Sequence, residues 1–381
     1  MSIYLDNAAT THKPQSVIDR ISYFYQHENS NIHRAAHALA ARATDAYEAA
    51  REKVRAFIGA GSVDEVIFVR GATEAINLVA QSFGGMVIGE GDEIVLSILE
   101  HHSNIVPWNF YRERNGAVLK WAPIDDEGNF LLEEFEKLLT PITKMVAITQ
   151  MSNALGTIVP VAEVIKLAHA RGIPVLVDGS QSSVHMAVDV QALDADFFVF
   201  TGHKTYGPTV IGVLYGMKEL LAKMPPYQGG GEMIKEVTFD HTTYNDPPFK
   251  YEAGTPNIEG AIALAAAIDY VNRIGLDKIH AHEASLIRHA ADAISHIPGI
   301  RLYGPADRSG SLSFNIEGLH HYDIGTLLDQ MGVAVRTGHH CCQPLMKRFG
   351  ITGTIRASFD LCNTQEEINT FAQYIKLGIS Y

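Results

Sequence analysis

Apolar runs rich in β-branched residues recur along the chain, and most are followed by a stretch with the three-to-four-residue spacing of a helix. Residues 65–69 (EVIFV) precede a helical pattern at 73–83, and residues 93–99 (EIVLSIL) precede another at 104–114. Residues 144–149 (KMVAIT) lead to a helical pattern at 161–172 and then to a further apolar run at 173–178. Strands this apolar must be covered on both faces, so the pattern predicts an α/β chain with a mostly parallel sheet between helices. Two apolar runs, Phe197 to Phe200 and Val210 to Tyr215, follow in quick succession across Tyr206-Gly207-Pro208, which predicts an antiparallel member there.

The alternation lapses over residues 225–257, a long Gly-, Pro- and Thr-rich stretch without clear periodicity. A segment of that kind inside a compact enzyme is more often functional or interfacial than idle. Beyond it come two amphipathic helices (259–275 and 277–297) and short strands at 300–304, 310–316, 333–338 and 354–361. The last helix opens with Thr364 and Glu367 spaced as a capping box. The expected division is a large α/β domain over 14–255 and a smaller α+β domain made of 1–13 and 256–381.

Composition narrows the partners. Of 381 residues, 46% are hydrophobic and 19% charged, enough for a sizeable core and too few polar residues for extended disorder. With 43 acidic and 30 basic side chains the formal charge is −13, which argues against nucleic acid or an anionic membrane as the main partner. A local basic pocket for a small anion remains compatible with that balance. No run of membrane-spanning length occurs, and the first residues lack the basic and apolar regions of a secretory leader. The three cysteines, at 341, 342 and 362, suit a reducing compartment and give no disulfide framework, so a cytoplasmic protein is expected.

Four features carry candidate chemistry. Gly71-Ala72-Thr73 sits between a predicted strand and a helix, where free N–H groups and the helix dipole favour an anion; an ordinary turn capped by Thr73 is an equal alternative. Asp178 ends an apolar run, with Gln181 three residues on. Ligands collect at such strand ends, though a helix N-cap is the commoner use of an Asp-Gly pair there. Lys204 follows another strand end, beside Thr201 and His203. A confined lysine loses its proton readily and forms an imine with a carbonyl, whereas an isolated lysine is usually a solvated loop residue. His101 and His102 close a further strand, where an imidazole could lie against a planar ring and move protons. An imine lysine, an acid and an anion cradle together are the parts a pyridoxal 5′-phosphate site needs.

These segments together resemble the group II cysteine desulfurase and selenocysteine lyase family of class V aminotransferase-like enzymes. The resemblance runs through YLDNAATTHKP, NIHRAAH, RGATEAINLVA, EHHSNIVPW, VDGSQSSVH, TGHKTYGPT, GGGEMI, FKYEAGTPN and RTGHHCCQP, nearly the whole chain. It implies the fold type I architecture of pyridoxal-phosphate enzymes, with a seven-stranded mostly parallel sheet. Lys204 would carry the cofactor aldehyde, His101 would stack on its ring, Asp178 would pair with the ring nitrogen and Gln181 would contact the phenolic oxygen. Thr73, Thr201 and His203, with Ala72 at the same turn, would hold the phosphate, and Thr255 would reach the phosphate of a neighbouring subunit in a homodimer. Asn153 would sit near substrate and cofactor, Arg356 would hold the substrate carboxylate, and Arg336 and His33 would also face the substrate.

The implied reaction takes sulfur from L-cysteine, or selenium from L-selenocysteine, leaving L-alanine. Cys341, five residues after Arg336, matches the family's nucleophilic cysteine, with Lys204 and His101 as the other catalytic groups and a small sulfur-acceptor protein as the expected recipient. Cys342 stands where alanine is common in the family and Ala72 where a second threonine is common. Adjacent cysteines make poor disulfides, so Cys342 is read as a packing residue in preference to an accessory sulfur carrier. Two other readings compete. A plain aminotransferase would leave RTGHHCCQP without a purpose. A metal-binding module built on HHCC is disfavoured, because four consecutive side chains do not easily converge on one ion.

Overall fold

The computed structural model describes residues 3–379. A two-residue strand, β1 (Ile3–Tyr4), precedes the strands of the larger sheet: β2 (Val66–Val69), β3 (Glu93–Ser97), β4 (Val118–Ala122), β5 (Thr143–Thr149), β6 (Val175–Asp178), β7 (Phe197–Thr201) and β8 (Gly212–Gly216). Their order is β2-β8-β7-β6-β5-β3-β4. β8 runs antiparallel to both neighbours, and every other pair is parallel. The quick strand pair read from the sequence is therefore β7 and β8.

Period-two alternation decides which side of this sheet each residue serves. Val66, Phe68, Val175 and Val177 enter one core, with α2 (Ala38–Ile58), α4 (Val161–His169) and α5 (Ile258–Ile274). Ile67, Val69, Leu176 and Leu214 enter the core on the other face, under α3 (Ala72–Leu78) and Trp108. Because both faces are covered, six of the seven strands are almost wholly buried. The exception is β4 at the sheet edge, which is exposed to half-buried along most of its length.

A second sheet has the order β11 (Ile300–Tyr303), β12 (Ser311–Ile316), β15 (Thr354–Ser358) and β14 (Arg336–Gly338), all antiparallel. Leu312, Phe314, Ile355 and Ala357 from this sheet share a third core with α6 (Leu276–Ser295) and α7 (Gln365–Ile379). Leu5 from the N-terminal arm joins them, and β1 pairs in parallel with β13 (Val333–Ala334). At the start of α7 the capping box forms in both directions, Glu367 N–H to Thr364 Oγ1 (3.2 Å) and Thr364 N–H to Glu367 Oε2 (3.0 Å).

The sequence reading divides the chain at 255/256, whereas by packing α5 lies with the large unit. Ala261, Leu264, Ala265 and Ile268 bury it in the core shared with α2. Its small side chains allow a close approach, and the polar break that periodicity marks lies in the loop before it. The featureless 225–257 segment contains one exposed hairpin, β9 (Ile234–Val237) with β10 (Thr242–Tyr244).

Candidate active site

β2, β3, β5, β6 and β7 all end at the same edge of the large sheet, and each delivers a candidate side chain at or shortly past its last residue. The turn Gly71–Thr73 follows β2, His101 follows β3, Asn153 follows β5, Asp178 ends β6, and Thr201 to Lys204 end β7. With Arg336, Cys341 and Arg356 from the smaller unit they line one cleft of about 880 Å³. Ligands gather where strand C-termini open in this way. The anion turn depends on a close approach of two glycines. A Cβ on Gly212 would lie 2.5 Å from the Gly71 Cα, so β8 can pass behind the turn only without a side chain.

Lys204 closes a single 3₁₀ turn, Gly202–Lys204, and its amine takes no hydrogen-bond partner among the described residues. Burial pulls its pKa down to about 8; the negative charge of Asp178 opposes that shift, and the guanidinium of Arg356 adds to it. The carbonyl of His203, one residue earlier, is held by the N-terminal arm. Lys13 Nζ donates to it at 2.7 Å, Thr10 Oγ1 at 3.1 Å, and Thr11 through both N–H and Oγ1 at 3.2 Å. That convergence fixes the peptide plane from which Lys204 projects.

Asp178 is buried, and one carboxylate oxygen, Oδ1, accepts from Ser180 N–H (3.0 Å) and Ser180 Oγ (2.6 Å). Oδ2 takes no hydrogen bond among the described residues, and Asp178 lines the cleft. Gln181 Nε2 donates to the Ala8 carbonyl at 2.9 Å, which leaves its amide oxygen free to accept or to meet a ligand. His101 is driven down to about 3 by burial, with the Lys204 charge adding to it, so it stays neutral at physiological pH. Its Nδ1 accepts the Ser103 N–H at 3.1 Å, which places the ring proton on Nε2. His203 is likewise lowered, to about 4, by burial and then by Lys204.

The segment RTGHHCCQP forms a tight, strained turn. His340 (φ 51°) and Cys341 (φ 57°) both adopt the left-handed conformation, which costs a non-glycine residue about 1–2 kcal/mol. Several bonds offset that cost. Asn153 Nδ2 donates to the His340 carbonyl (2.8 Å), His102 N–H to the Cys341 carbonyl (2.7 Å) and Cys341 N–H to His339 Nδ1 (3.1 Å). Cys341 is partly exposed and lines the cleft, while Cys342 is wholly buried. Burial raises the Cys342 thiol to about 12, and its Sγ donates to Asn153 Oδ1 at 3.0 Å. The side chains of HHCC have separate partners: the His340 ring meets Thr354 Oγ1 (2.8 Å) and the Cys342 thiol meets Asn153 Oδ1 (3.0 Å). Among the described residues no three His, Cys, Asp or Glu side chains come together as metal ligands.

Arg356 is buried on β15, with Nη1 donating to the Asn153 carbonyl (2.8 Å) and Nη2 to Asp6 (3.1 Å), while its Nε has no partner. Arg336 grips the same Asp6 carboxylate from outside, through Nε (3.2 Å) and Nη2 (3.0 Å). A carboxylate thus already sits between the two guanidinium groups, and the site suits that chemistry.

The cleft brings together Ala72, Thr73, His101, Asn153, Asp178, Gln181, Thr201, His203, Lys204, Arg336, Cys341 and Arg356. It leaves out Thr255 and His33. Thr255 lines a smaller adjoining hollow of about 270 Å³, and His33 hydrogen-bonds Glu48 at 3.0 Å. Sequence reasoning missed Lys13 and Asp6, although both lie in a motif it singled out, because their partners are remote in sequence. It also missed Glu100, one residue before His101, a fully buried acid raised to about 8 by burial, which accepts from Ser97 Oγ, Thr149 N–H and Asn104 Nδ2.

Comparisons with known proteins bear on the family and the fold. A family model for class-V aminotransferases matches residues 3–371. A probable cysteine desulfurase from Mycobacterium leprae is 55% identical over 98% of this chain, and a cysteine desulfurase from Dickeya dadantii is 52% identical over 96% of it. The match covers 61% of the former and 89% of the latter, so the chain spans less than two thirds of the M. leprae relative. The crystal structure of the cysteine desulfurase CsdA from Escherichia coli superposes with a TM-score of 0.94 at 41% identity, covering 100% of this chain and 95% of that one.

Proposed function

The chain belongs to the class-V aminotransferase family, whose enzymes use pyridoxal 5′-phosphate, and from that premise we propose that it is a cysteine desulfurase, which takes sulfur from L-cysteine. Its architecture is that of fold type I. The observation that carries the reading is that Lys204, Cys341 and Arg356, from three separate parts of the chain, face one cleft.

The residues present fit the cofactor. Lys204 offers an unpartnered amine with its pKa lowered to about 8, Asp178 offers a free carboxylate oxygen, and the Gly71 turn leaves backbone room for an anion. Ala72, Thr73, Thr201 and His203 would hold the phosphate, with Thr255 of a second copy. His101 would lie against the ring, Gln181 and Asn153 would meet its oxygen, and Asp178 would keep the ring nitrogen protonated. When bound, pyridoxal phosphate supplies electron withdrawal from the substrate Cα.

Each step then belongs to a side chain. Arg356, assisted by Arg336, holds the substrate carboxylate. The Lys204 amine takes the Cα proton, protonates the carbon that loses sulfur and last returns a proton to Cα, the second proton being the one the Cys341 thiol gives up. The Cys341 thiolate attacks the substrate sulfur: an S–S bond forms, the C–S bond breaks, and its electron pair stays with the carbon that Lys204 protonates. Cysteine and the Cys341 thiol thus become L-alanine and a Cys341 persulfide. Because Cys341 is partly exposed, the outer sulfur can pass to a thiol of a small acceptor protein.

Incubated with cysteine and a reductant, the holoenzyme is expected to release alanine and sulfide in equal amounts. Cys341→Ala is expected to lose both the persulfide and the sulfide. Full sulfide release by that variant would overturn the assignment of the nucleophile.

A further inference from the structure

We propose that Cys342 is a positioning residue: its thiol and the Asn153 amide form a latch that holds the left-handed His340–Cys341 turn with Cys341 facing the cleft. This inference rests on the reading of Cys341 as the nucleophile and extends it to a neighbour that the reaction itself does not use.

The latch is a closed set of bonds. Asn153 Nδ2 donates to the His340 carbonyl at 2.8 Å, and Cys342 Sγ donates to Asn153 Oδ1 at 3.0 Å while lying 3.4 Å from that same carbonyl. Both ends of one amide are therefore used by one turn. A carbonyl oxygen requires the amide NH₂ opposite it, which turns Oδ1 toward the thiol, a donor. Cys342 cannot serve as a second nucleophile in this arrangement, being wholly buried with its proton engaged.

Three features make the latch relevant to reaction geometry. First, it acts on residues whose backbone is strained and returns to commoner conformations once released. Second, Asn153 lines the cleft, and its own carbonyl accepts from Arg356 Nη1 at 2.8 Å, so the turn bearing the nucleophile is tied through one residue to the guanidinium proposed for the substrate carboxylate. Third, the side-chain volume at 342 is set by the core, where Cys342 packs with Leu345 and Met346. Serine and alanine are both smaller than cysteine there, but serine keeps a donor and alanine does not.

The test compares Cys342→Ala and Cys342→Ser with the wild-type holoenzyme in two measurements. One is the single-turnover rate of persulfide formation on Cys341 against cysteine concentration. The other is the rate of Cys341 alkylation by iodoacetamide without substrate, with the modified residue located by peptide fragmentation. In Cys342→Ala, persulfide formation is expected to slow about five- to tenfold, the loss of roughly one hydrogen bond, with KM for cysteine unchanged. Alkylation is expected to rise by a similar factor as the turn loosens, and Cys342→Ser is expected to restore both rates. Wild-type behaviour of Cys342→Ala would overturn the proposal, as would a Cys342→Ser that behaves like the alanine variant, or a persulfide located on Cys342. Alkylation requires no turnover, so a wild-type chain that failed to desulfurate cysteine would overturn the functional reading and leave the latch to be judged on alkylation alone.

Discussion

Lys204 shows how burial sets chemistry at a single residue. An ammonium in water holds its proton to above pH 10, whereas confinement in the cleft lowers this one to about 8. The neutral, nucleophilic amine is therefore about a tenth of the population at pH 7, roughly two hundred times more than for a free lysine. Capture of added pyridoxal phosphate by the cofactor-free protein is expected to accelerate about tenfold between pH 7 and 9 and then level off, as the neutral fraction of a group titrating near 8 does. Followed by absorbance in a stopped-flow instrument, a rate that rose roughly a hundredfold and kept climbing would mean an unperturbed lysine. This residue was legible in the sequence because it stands where polar side chains are rare, between two apolar runs. Asp178 and His101 were legible for the same reason. The His203 carbonyl and its donors Thr10, Thr11 and Lys13 were not, since nothing local signals a contact across some 190 residues.

Among the elements, α2 and the loop after residue 251 are joined by a buried ion pair that no periodicity announces. Arg51 and Glu252 meet through two bonds, 2.6 and 3.0 Å, with the arginine wholly buried between Tyr47, Phe68 and Phe249. Glu252 also accepts the Phe68 N–H of β2 (2.8 Å) and the Tyr47 hydroxyl (3.1 Å). The pair thus fastens the Thr255 loop to the strand that leads into the anion turn. Arg51→Met leaves a buried carboxylate without its cation and is expected to cost about 3–5 kcal/mol, measured by urea unfolding; a loss under about 1 kcal/mol would show that the pair contributes little. Strands buried on both faces were read close to their true ends, as with β3, β6 and β12. β4 was missed because an edge strand with Lys120 at its centre lacks a continuous apolar run. The hairpin β9–β10 was missed because its residues are mostly exposed and their pattern reports no core.

For the whole molecule, two units line one cleft: the large sheet supplies Lys204 and Asp178, and the smaller unit supplies Cys341 and Arg356. Alternating strands and helices made the α/β layering legible, but the placement of α5 with the large core was not, because an alanine-rich helix carries no label for the surface it joins. Thr255 lies in a hollow that shares Arg70, Glu74, Val210 and Tyr227 with the cleft, and the nearby hairpin exposes Val237, Phe239 and Tyr244. Apolar side chains so exposed suit an interface, and the partner we propose for it is a second copy of this chain. Sedimentation at micromolar concentration is expected to give twice the 41.7 kDa chain mass, and a monomer at every concentration would remove Thr255 from the site. Desulfuration at this site requires pyridoxal phosphate bound covalently to one amine. Holoenzyme reduced with borohydride, digested and mapped by mass spectrometry should carry a pyridoxyl group on Lys204; no such group, or one on any other lysine, would contradict it.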